Sequence, residues 1–142
     1  MSTTVQPPPP LPPQVVQLIE KAKEVIKYAY APFSKFPVSS AILTADGKTF
    51  TGINIENSSY PVGTCAERTA AGKAVSEGSK EFAIIVVYAP TGTELTYPCG
   101  ACRQFLYEFG HDLIVYVCND HETRKHHINE LLPYGFRLNS DR

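Results

Sequence analysis

Residues 82–118 read FAIIVVYAPTGTELTYPCGACRQFLYEFGHDLIVYVC, with an apolar run at each end of the stretch. The runs 82–88 and 113–118 have the length and the continuous apolar character of strands that are buried on both faces. Residues 99–109, which lie between them, favour a helix. A strand, a helix and a second strand in this order indicate two parallel strands joined by a crossover helix. The segment therefore predicts an α/β fold.

The residues before this unit predict an amphipathic helix and then a β-hairpin. Apolar side chains recur at helical spacing from residue 15 to Ala29, and Pro32 stops the run. Strands at 38–44 and 48–55 then flank Asp46-Gly47, a dipeptide that favours a tight hairpin turn. The sheet is therefore expected to open with an antiparallel pair.

A second helix is predicted between the hairpin and the first buried strand. Residues 57–64 have the composition of a loop, whereas 65–76 contain strong helix formers and are followed by Gly78. This assignment places Cys65 at the N-terminal end of a helix.

The chain becomes strongly polar after the second buried strand. Residues 121–127 read HETRKHH, which is too polar for a core and too short for a helical crossover. We expect this stretch to lead to a last strand that pairs antiparallel. Its three histidines lack the spacing of metal ligands on a helix or strand, so a solvated loop is predicted. Residues 130–132 are expected to form a helical turn before Pro133.

Length and composition indicate one compact globular domain. The chain has 142 residues, of which 43% are hydrophobic, and a formal net charge of −1. This near-neutral charge gives no electrostatic reason to expect nucleic acid or a membrane as a partner. We predict a proline-rich disordered tail over 1–13 and a single domain over 14–142. Neither a membrane span nor a secretory signal is recognisable, so a cytoplasmic location is expected.

Three cysteines and one glutamate form the pattern with the clearest chemical meaning. Glu67 follows Cys65 by two residues, and Cys99 and Cys102 have the Cys-x-x-Cys spacing of a metal site. A structural zinc site takes four protein ligands, whereas a catalytic site takes three and keeps a position for water. The count predicts one catalytic Zn²⁺ per chain, with Glu67 as proton carrier or, alternatively, on a solvated helix face. Cys118 is left over and is predicted to be a buried small hydrophobe.

These residues are part of a longer series of motifs that resembles the small homotetrameric cytidine deaminases in order and spacing. The motifs are APFSKFPV (31–38), GINIENSSY (52–60), CAERTA (65–70), PCGACRQ (98–104) and ELLP (130–133). The chain departs from the family at Ser39-Ser40, where Gly-Ala is usual, and at 62–64, before the first cysteine. Both departures lie close to the expected site, so they concern fine specificity rather than the reaction.

The resemblance implies a three-layer α-β-α fold with a mixed five-stranded sheet, and a catalytic role for the 14–142 domain. It implies that Glu67 passes a proton from the attacking water to the pyrimidine N3 and then to the departing amine. Arg68, one turn after Cys65, would donate to a ligand sulfur and offset the charge of three thiolates. Two roles stay open for Arg103, a donor to sulfur or a structural ion pair.

The resemblance also implies a set of substrate contacts. Phe36 would stack on the base, with plain core packing as the alternative, and Ala66 would also contact the substrate. Asn54 and Glu56 would hold the ribose hydroxyls. Alternation along the second strand supports these two, because it puts both polar side chains on one side, where a ligand would satisfy them.

Tyr60 and Phe136 match positions that, in the tetrameric relatives, reach a neighbouring subunit's pocket. The resemblance therefore implies a homotetramer whose sites are completed by neighbouring subunits. It predicts zinc-dependent deamination of cytidine and deoxycytidine to uridine and deoxyuridine, with release of ammonia, in pyrimidine salvage. The alternatives are a blasticidin-type aminonucleoside deaminase, which shares the zinc motifs, and a structural zinc module for protein interaction, which would need a fourth protein ligand.

Overall fold

The structure, a computed structural model, describes residues 9–138. In chain order its elements are α1 (Pro13–Val25), β1 (Ser39–Thr44), β2 (Thr49–Ile53), α2 (Ala66–Ser76), β3 (Phe82–Tyr88), α3 (Gly100–Tyr107), β4 (Ile114–Cys118), β5 (Thr123–His127) and α4 (Ile128–Leu131), with short 3-10 turns at Ile26–Tyr28 and Tyr60–Val62. Residues 1–8 of the predicted tail lie outside the described residues, so its disorder stays a prediction. Within 9–138, no helix has the length and apolar character needed to cross a membrane.

The five strands form one mixed sheet in the order β2-β1-β3-β4-β5. β1 pairs antiparallel with β2 and β3, and β4 pairs antiparallel with β5. β3 and β4 are parallel, with Ile84 opposite Ile114 and Tyr88 opposite Cys118. Because α3 connects these two strands, the predicted strand-helix-strand unit is confirmed, and so is the opening hairpin.

Helices cover both faces of the sheet, which makes the three predicted layers. α1 buries Val15, Leu18 and Ala22 against one face, where Cys118 also lies. α2 and α3 cover the other face, which is lined by Ile42, Phe50, Ile85, Val115 and Val117. Cys118 is fully buried, as predicted, among the apolar side chains that face α1.

The first helix ends earlier than its apolar periodicity predicts. The α-helical part stops at Val25, and Ala29 already has an extended backbone with φ −55° and ψ 133°. The reason is a backbone pairing farther along the chain, since Tyr30 N donates to Asn54 O (2.9 Å) and Glu56 N donates to Tyr30 O (2.8 Å). The helix ends here because residues after it form backbone hydrogen bonds with the segment that follows β2.

Two predictions for the polar stretch 121–127 were wrong, since most of it is neither a connection to the last strand nor a solvated loop, and His126 and His127 are half-buried. This stretch does not lead to the last strand but contains it, because β5 runs from Thr123 to His127 and pairs with β4. β5 is one of the two edge strands of the sheet, and its side chains are half-buried or exposed. An edge strand tolerates charged side chains, so the missing apolar pattern does not prevent pairing.

A glycine lets α2 lie unusually close to β2. A Cβ atom at Gly52 would be 2.4 Å from Ala66 O and 2.4 Å from Ala70 N, which are backbone atoms of α2. Only a residue without a side chain allows this approach. The contact presses the first turns of α2 onto the sheet and thereby fixes where Cys65 and Glu67 lie.

Candidate active site

The three predicted metal ligands lie at the N-terminal ends of two neighbouring helices. Cys65 is the N-cap residue of α2, and Cys99 is the N-cap residue of α3. Cys102 is buried in the first turn of α3. A helix N-terminus presents unpaired amide donors and the positive end of the helix dipole, both of which favour a thiolate.

The three sulfur atoms form a compact triangle. Cys65 Sγ lies 3.9 Å from Cys99 Sγ, which in turn lies 3.5 Å from Cys102 Sγ. All three sulfurs lie within 4.8 Å of one another, and no further His, Cys, Asp or Glu of residues 9–138 joins the group. A tetrahedral zinc with Zn–S bonds of about 2.3 Å requires S···S distances of about 3.8 Å. The geometry therefore fits one Zn²⁺ held by three thiolates, with one position left for water.

The charges around the sulfurs favour a thiolate at Cys65. A hydrogen bond from the Cys102 thiol, together with the Arg68 guanidinium, lowers the pKa of Cys65 to about 5. Arg68 Nη2 lies 3.7 Å from Cys65 Sγ, so it occupies the place predicted for a sulfur donor. The pKa of Cys102 is raised, because its thiol donates to Cys65 and is buried.

Glu67 is buried beside this cluster instead of lying on a solvated helix face. Its exposed fraction is 3%, and it belongs to the first turn of α2. Burial, together with a negative charge on Cys65, raises the pKa of Glu67 to about 7. A carboxyl group with a pKa near the working pH is suited to both accepting and donating a proton.

A cavity of about 630 Å³ opens beside the metal ligands. Cys65 and Arg68 line it on one side, and Asn54, Glu56 and Tyr60 also line it. The structure thus brings three of the predicted substrate contacts to one space with a metal ligand.

Asn54 and Glu56 do not depend on a ligand to satisfy their side chains, contrary to our expectation. Asn54 accepts from Val38 N (3.0 Å) and donates to Phe36 O (2.9 Å). Glu56 Oε1 accepts from the backbone amides of Phe33 (2.9 Å) and Ser34 (3.1 Å). A hydrogen bond from Ser34 also holds the pKa of Glu56 below its ordinary value, so the group is a carboxylate at neutral pH. Both residues therefore fix the 33–38 segment beside the cavity.

The other predicted substrate contacts lie outside the lining of this cavity. Phe36 is half-buried and is tied to the site through its carbonyl group. Ala66 is fully buried as the first residue of α2. Phe136 is 68% exposed, and Tyr60, which lines the cavity, is 77% exposed. Tyr60 and Phe136 thus have the exposure that contact with a second subunit would require.

Within residues 9–138, Arg103 makes neither of the two contacts that the sequence left open, the hydrogen bond to sulfur and the ion pair. Its Nε donates to Pro98 O (2.7 Å), and its Nη1 donates to Leu131 O (2.8 Å). Both described hydrogen bonds therefore run to backbone carbonyls and not to sulfur.

Two further residues near the site were given no role from the sequence. Gln104 Nε2 donates to Phe136 O (2.7 Å) and Gln104 Oε1 accepts from Phe136 N (3.2 Å), which fixes the C-terminal segment on α3. Phe33 lines the cavity, with its ring centroid 6.1 Å from that of Tyr60. Both lie inside the quoted motifs, but periodicity gives no signal for them.

The hydroxyl groups of Ser39 and Ser40 are satisfied inside the fold. Ser39 Oγ donates to Ala22 O (2.6 Å), and Ser40 Oγ donates to Val86 O (2.8 Å). Both serines are fully buried. This departure from the usual Gly-Ala therefore ties β1 to α1 and β3 and adds no free polar group to the cavity.

Comparison with known proteins agrees with this geometry. Residues 13–118 match the family described as the cytidine and deoxycytidylate deaminase zinc-binding region. A probable cytidine deaminase of Dictyostelium discoideum is 48% identical over 120 residues, which cover 84% of this chain and 82% of that protein. The crystal structure of cytidine deaminase from Burkholderia pseudomallei superimposes with a TM-score of 0.81 at 43% identity, covering 85% of this chain and 98% of that one. A blasticidin-S deaminase of Bacillus cereus is 33% identical over 133 residues, 89% of this chain and 94% of that protein. The chain therefore belongs to the zinc-dependent cytidine deaminase family.

Proposed function

We propose that this protein catalyses the hydrolytic deamination of cytidine and deoxycytidine, giving uridine or deoxyuridine and ammonia. The observation that carries the proposal is the burial of Glu67 next to a three-sulfur set with no fourth protein ligand among the described residues. A structural zinc module would need a closed set of four ligands, and a buried carboxyl group beside the metal would have no function in it.

Each residue of the site has a definite task in this reaction. Cys65, Cys99 and Cys102 hold Zn²⁺, which when bound supplies Lewis-acid activation of water at neutral pH. The Glu67 carboxylate takes a proton from the attacking water and delivers it to N3 of the pyrimidine. Glu67 then takes the proton of the new C4 hydroxyl group and gives it to the amine, which leaves as ammonia while the C4 carbonyl group forms. Arg68 offsets part of the negative charge of the thiolates, which would otherwise weaken the metal as a Lewis acid.

The charge of the cavity favours a neutral nucleoside. Glu56 contributes a carboxylate, and Arg68 is the one basic side chain among the described residues that line the cavity. Since the Arg68 guanidinium is directed at Cys65, it does not provide a phosphate clamp. A phosphate dianion near Glu56 would be repelled. We therefore expect nucleotides and polynucleotides to be poor substrates, and free cytosine as well, because it has no sugar to reach Asn54 and Glu56.

A substrate panel on one zinc-analysed sample tests the proposal. The compounds are cytidine, deoxycytidine, their 5′-monophosphates, free cytosine, a cytosine-containing oligonucleotide and blasticidin S. Ammonia release from the two nucleosides only is the expected result, with about one zinc per chain that is lost in Cys99→Ala. Turnover of blasticidin S in place of cytidine would favour the alternative supported by the 33% identical relative. Turnover of the monophosphates at the rate of cytidine would overturn the nucleoside assignment.

We further propose a homotetramer in which Tyr60 and Phe136 complete a neighbour's pocket. The high exposure of both rings supports this. Subunit complementation is a sharp test. Glu67→Gln and Tyr60→Ala are each expected to be inactive when alone. When the two variants are refolded as a mixture, a Tyr60→Ala subunit supplies the intact Glu67 and its Glu67→Gln neighbour supplies the intact Tyr60. Sites of this composition should regain activity. A fully active monomer in light scattering, or no regained activity, would contradict the shared site.

A place in pyrimidine salvage and in the cytoplasm is part of the same proposal. The salvage role rests on the family resemblance and on the nucleoside product, whereas the location stays an expectation from the sequence. Fractionation of cells with an antibody against the chain would test the location.

A further inference from the structure

The turn that carries Cys99 is tied to the corner between β5 and α4 by a tyrosine–histidine pair. Tyr97 lies two residues before Cys99, and its hydroxyl group is 2.8 Å from His126 Nε2 of β5. The two rings also meet edge to face, with centroids 5.2 Å apart and an interplanar angle of 60°. The reaction proposed above gives neither residue a role.

The other nitrogen of His126 faces an acidic residue of α4. His126 Nδ1 lies 3.6 Å from Glu130 Oε2, while Glu130 Oε1 accepts from His127 N (3.2 Å) in the capping box of α4. A carboxylate beside Nδ1 favours the proton on that nitrogen, which leaves Nε2 as an acceptor for the Tyr97 hydroxyl. The capping interaction thus sets the orientation of the imidazole that holds Tyr97.

Arg103 makes a second connection between the same two regions. It bridges Pro98 O and Leu131 O, so the residue immediately before Cys99 is bound to the end of α4. Tyr97 and Pro98 are therefore both attached to residues 126–131.

The N-terminal side of this turn is held by the packing of Leu95 and Pro98 and by few polar contacts, one of which runs from Asn119 Nδ2 to Thr93 O (3.5 Å). The four residues 91–94 are exposed, and the Cys99 side chain makes no capping hydrogen bond at the start of α3. The Tyr97 ring, in contrast, packs against the core beside α2 and α3. The hydroxyl group of Tyr97 thus adds a polar restraint to a turn that is otherwise held mainly by packing and by Arg103.

We propose that Tyr97 and His126 are positioning residues that fix Cys99 in the geometry required for zinc. The inference rests on the zinc site of the proposed function, but it concerns retention of the metal and not the chemical step. Partners that orient metal ligands from outside raise metal affinity and slow metal release.

The experiment measures zinc release from the zinc-loaded protein into an excess of a chromogenic chelator, well below the unfolding temperature. Tyr97→Phe keeps the ring in the core and removes only the hydroxyl group, and His126→Phe keeps the ring contact and removes the acceptor. Each is expected to release zinc about two- to tenfold faster, the range for loss of one hydrogen bond. The double variant should be no faster than the single variants, because both remove one shared interaction.

Tyr107→Phe is the matched control, since Tyr107 lies in α3 and its hydroxyl group has no hydrogen-bond partner within residues 9–138. It should release zinc at the wild-type rate. The visible spectrum of the Co²⁺-substituted protein should shift in Tyr97→Phe and stay unchanged in Tyr107→Phe, since the spectrum reports ligand geometry and not global stability.

If Tyr97→Phe and His126→Phe release zinc at the wild-type rate, the inference is overturned, even if their unfolding temperatures are lowered. It is also overturned if the effects of the two substitutions on the release rate are strictly additive in the double variant. Zinc content and cytidine turnover of the wild type, measured on the same samples, test the proposed function separately. A wild-type protein without zinc would overturn both, whereas unchanged release with normal turnover would overturn this inference alone.

Discussion

Replacing Gly52 with alanine should damage both the fold and the active site, because the backbone of α2 lies against the sheet at this position. The new Cβ atom would be 2.4 Å from Ala66 O and from Ala70 N. Both are backbone atoms, so no side-chain rotation relieves the clash. The helix itself must move away from β2, and its first turn carries Cys65 and Glu67.

The distances set the size of the effect. Ordinary van der Waals contact begins at 3.4 Å, so α2 must shift by about 1 Å. Overpacking of this kind destabilises by about 1–3 kcal/mol, which lowers the unfolding temperature by about 4–12 °C for a domain of this size. A misplacement of about 1 Å at a catalytic group lowers the rate by about 100-fold. We therefore expect Gly52→Ala to melt earlier and to lose most of its kcat/KM.

Gly72→Ala provides the matched control within the same helix. Gly72 is exposed, and a Cβ atom there would meet nothing within 4 Å. Alanine in a helix interior is favoured over glycine by about 0.5–1 kcal/mol, so this variant should melt slightly later and keep full activity. The assay is thermal unfolding of the zinc-loaded variants at equal protein concentration, together with initial rates of ammonia release from cytidine. A Gly52→Ala protein as stable and active as Gly72→Ala would refute the reasoning.

Three further predictions follow from the site and the hairpin. Glu67→Gln should keep its zinc but lose at least about 100-fold in kcat, the contribution of a proton carrier; full activity with zinc bound would remove Glu67 from the mechanism. Arg68→Gln should lower kcat/KM by about 10–100-fold with the fold intact, and Arg68→Lys, which keeps the charge, should lose less; equal losses would indicate that charge is not what Arg68 supplies. Thr44 donates a hydrogen bond to Asp46 and holds the pKa of Asp46 below its ordinary value. The Asp46 carboxylate therefore stabilises the folded state above about pH 4, and this stabilisation is lost as the pH falls through the folded-state pKa of Asp46. The difference in urea midpoint between wild type and Asp46→Asn should accordingly narrow from pH 6 to pH 3, and a constant difference would exclude this linkage.

The sequence predicts the layers and the metal ligands because local patterns determine both. Two ligands spaced Cys-x-x-Cys at a helix start, and a third at another helix start, can be recognised from a few neighbouring residues. The same applies to the central parallel pair, whose strands are apolar throughout. The edge strand β5 could not be recognised in this way, because an edge position neither requires nor produces an apolar pattern.

The contacts of several polar side chains in the site could not be predicted from the sequence, because their partners are backbone groups far away in the chain. Asn54 and Glu56 were expected to need a ligand, but main-chain groups of the 33–38 segment satisfy them, and the identity of a main-chain partner leaves no mark on the sequence. The two arginines next to cysteines differ for a related reason. Arg68 is three residues after Cys65, and its guanidinium donates to that sulfur. Arg103 is four residues after Cys99, but the carbonyl groups of Pro98 and Leu131 accept from its guanidinium instead.

The opposite pKa shifts of Cys65 and Glu67 explain how one helix turn can serve both metal binding and proton transfer. A hydrogen bond from Cys102 and the nearby Arg68 lower the pKa of Cys65 to about 5, while burial raises the pKa of Glu67 to about 7. Neighbouring groups whose pKa values are pushed apart can hold different protonation states at one pH. At neutral pH the ligand is therefore ready as a thiolate, while the carboxyl group two residues later still exchanges its proton. Glu67 lies in the first turn of α2, next to Ala66, whose carbonyl group approaches β2 at Gly52, so the contact between helix and sheet also positions the proton carrier.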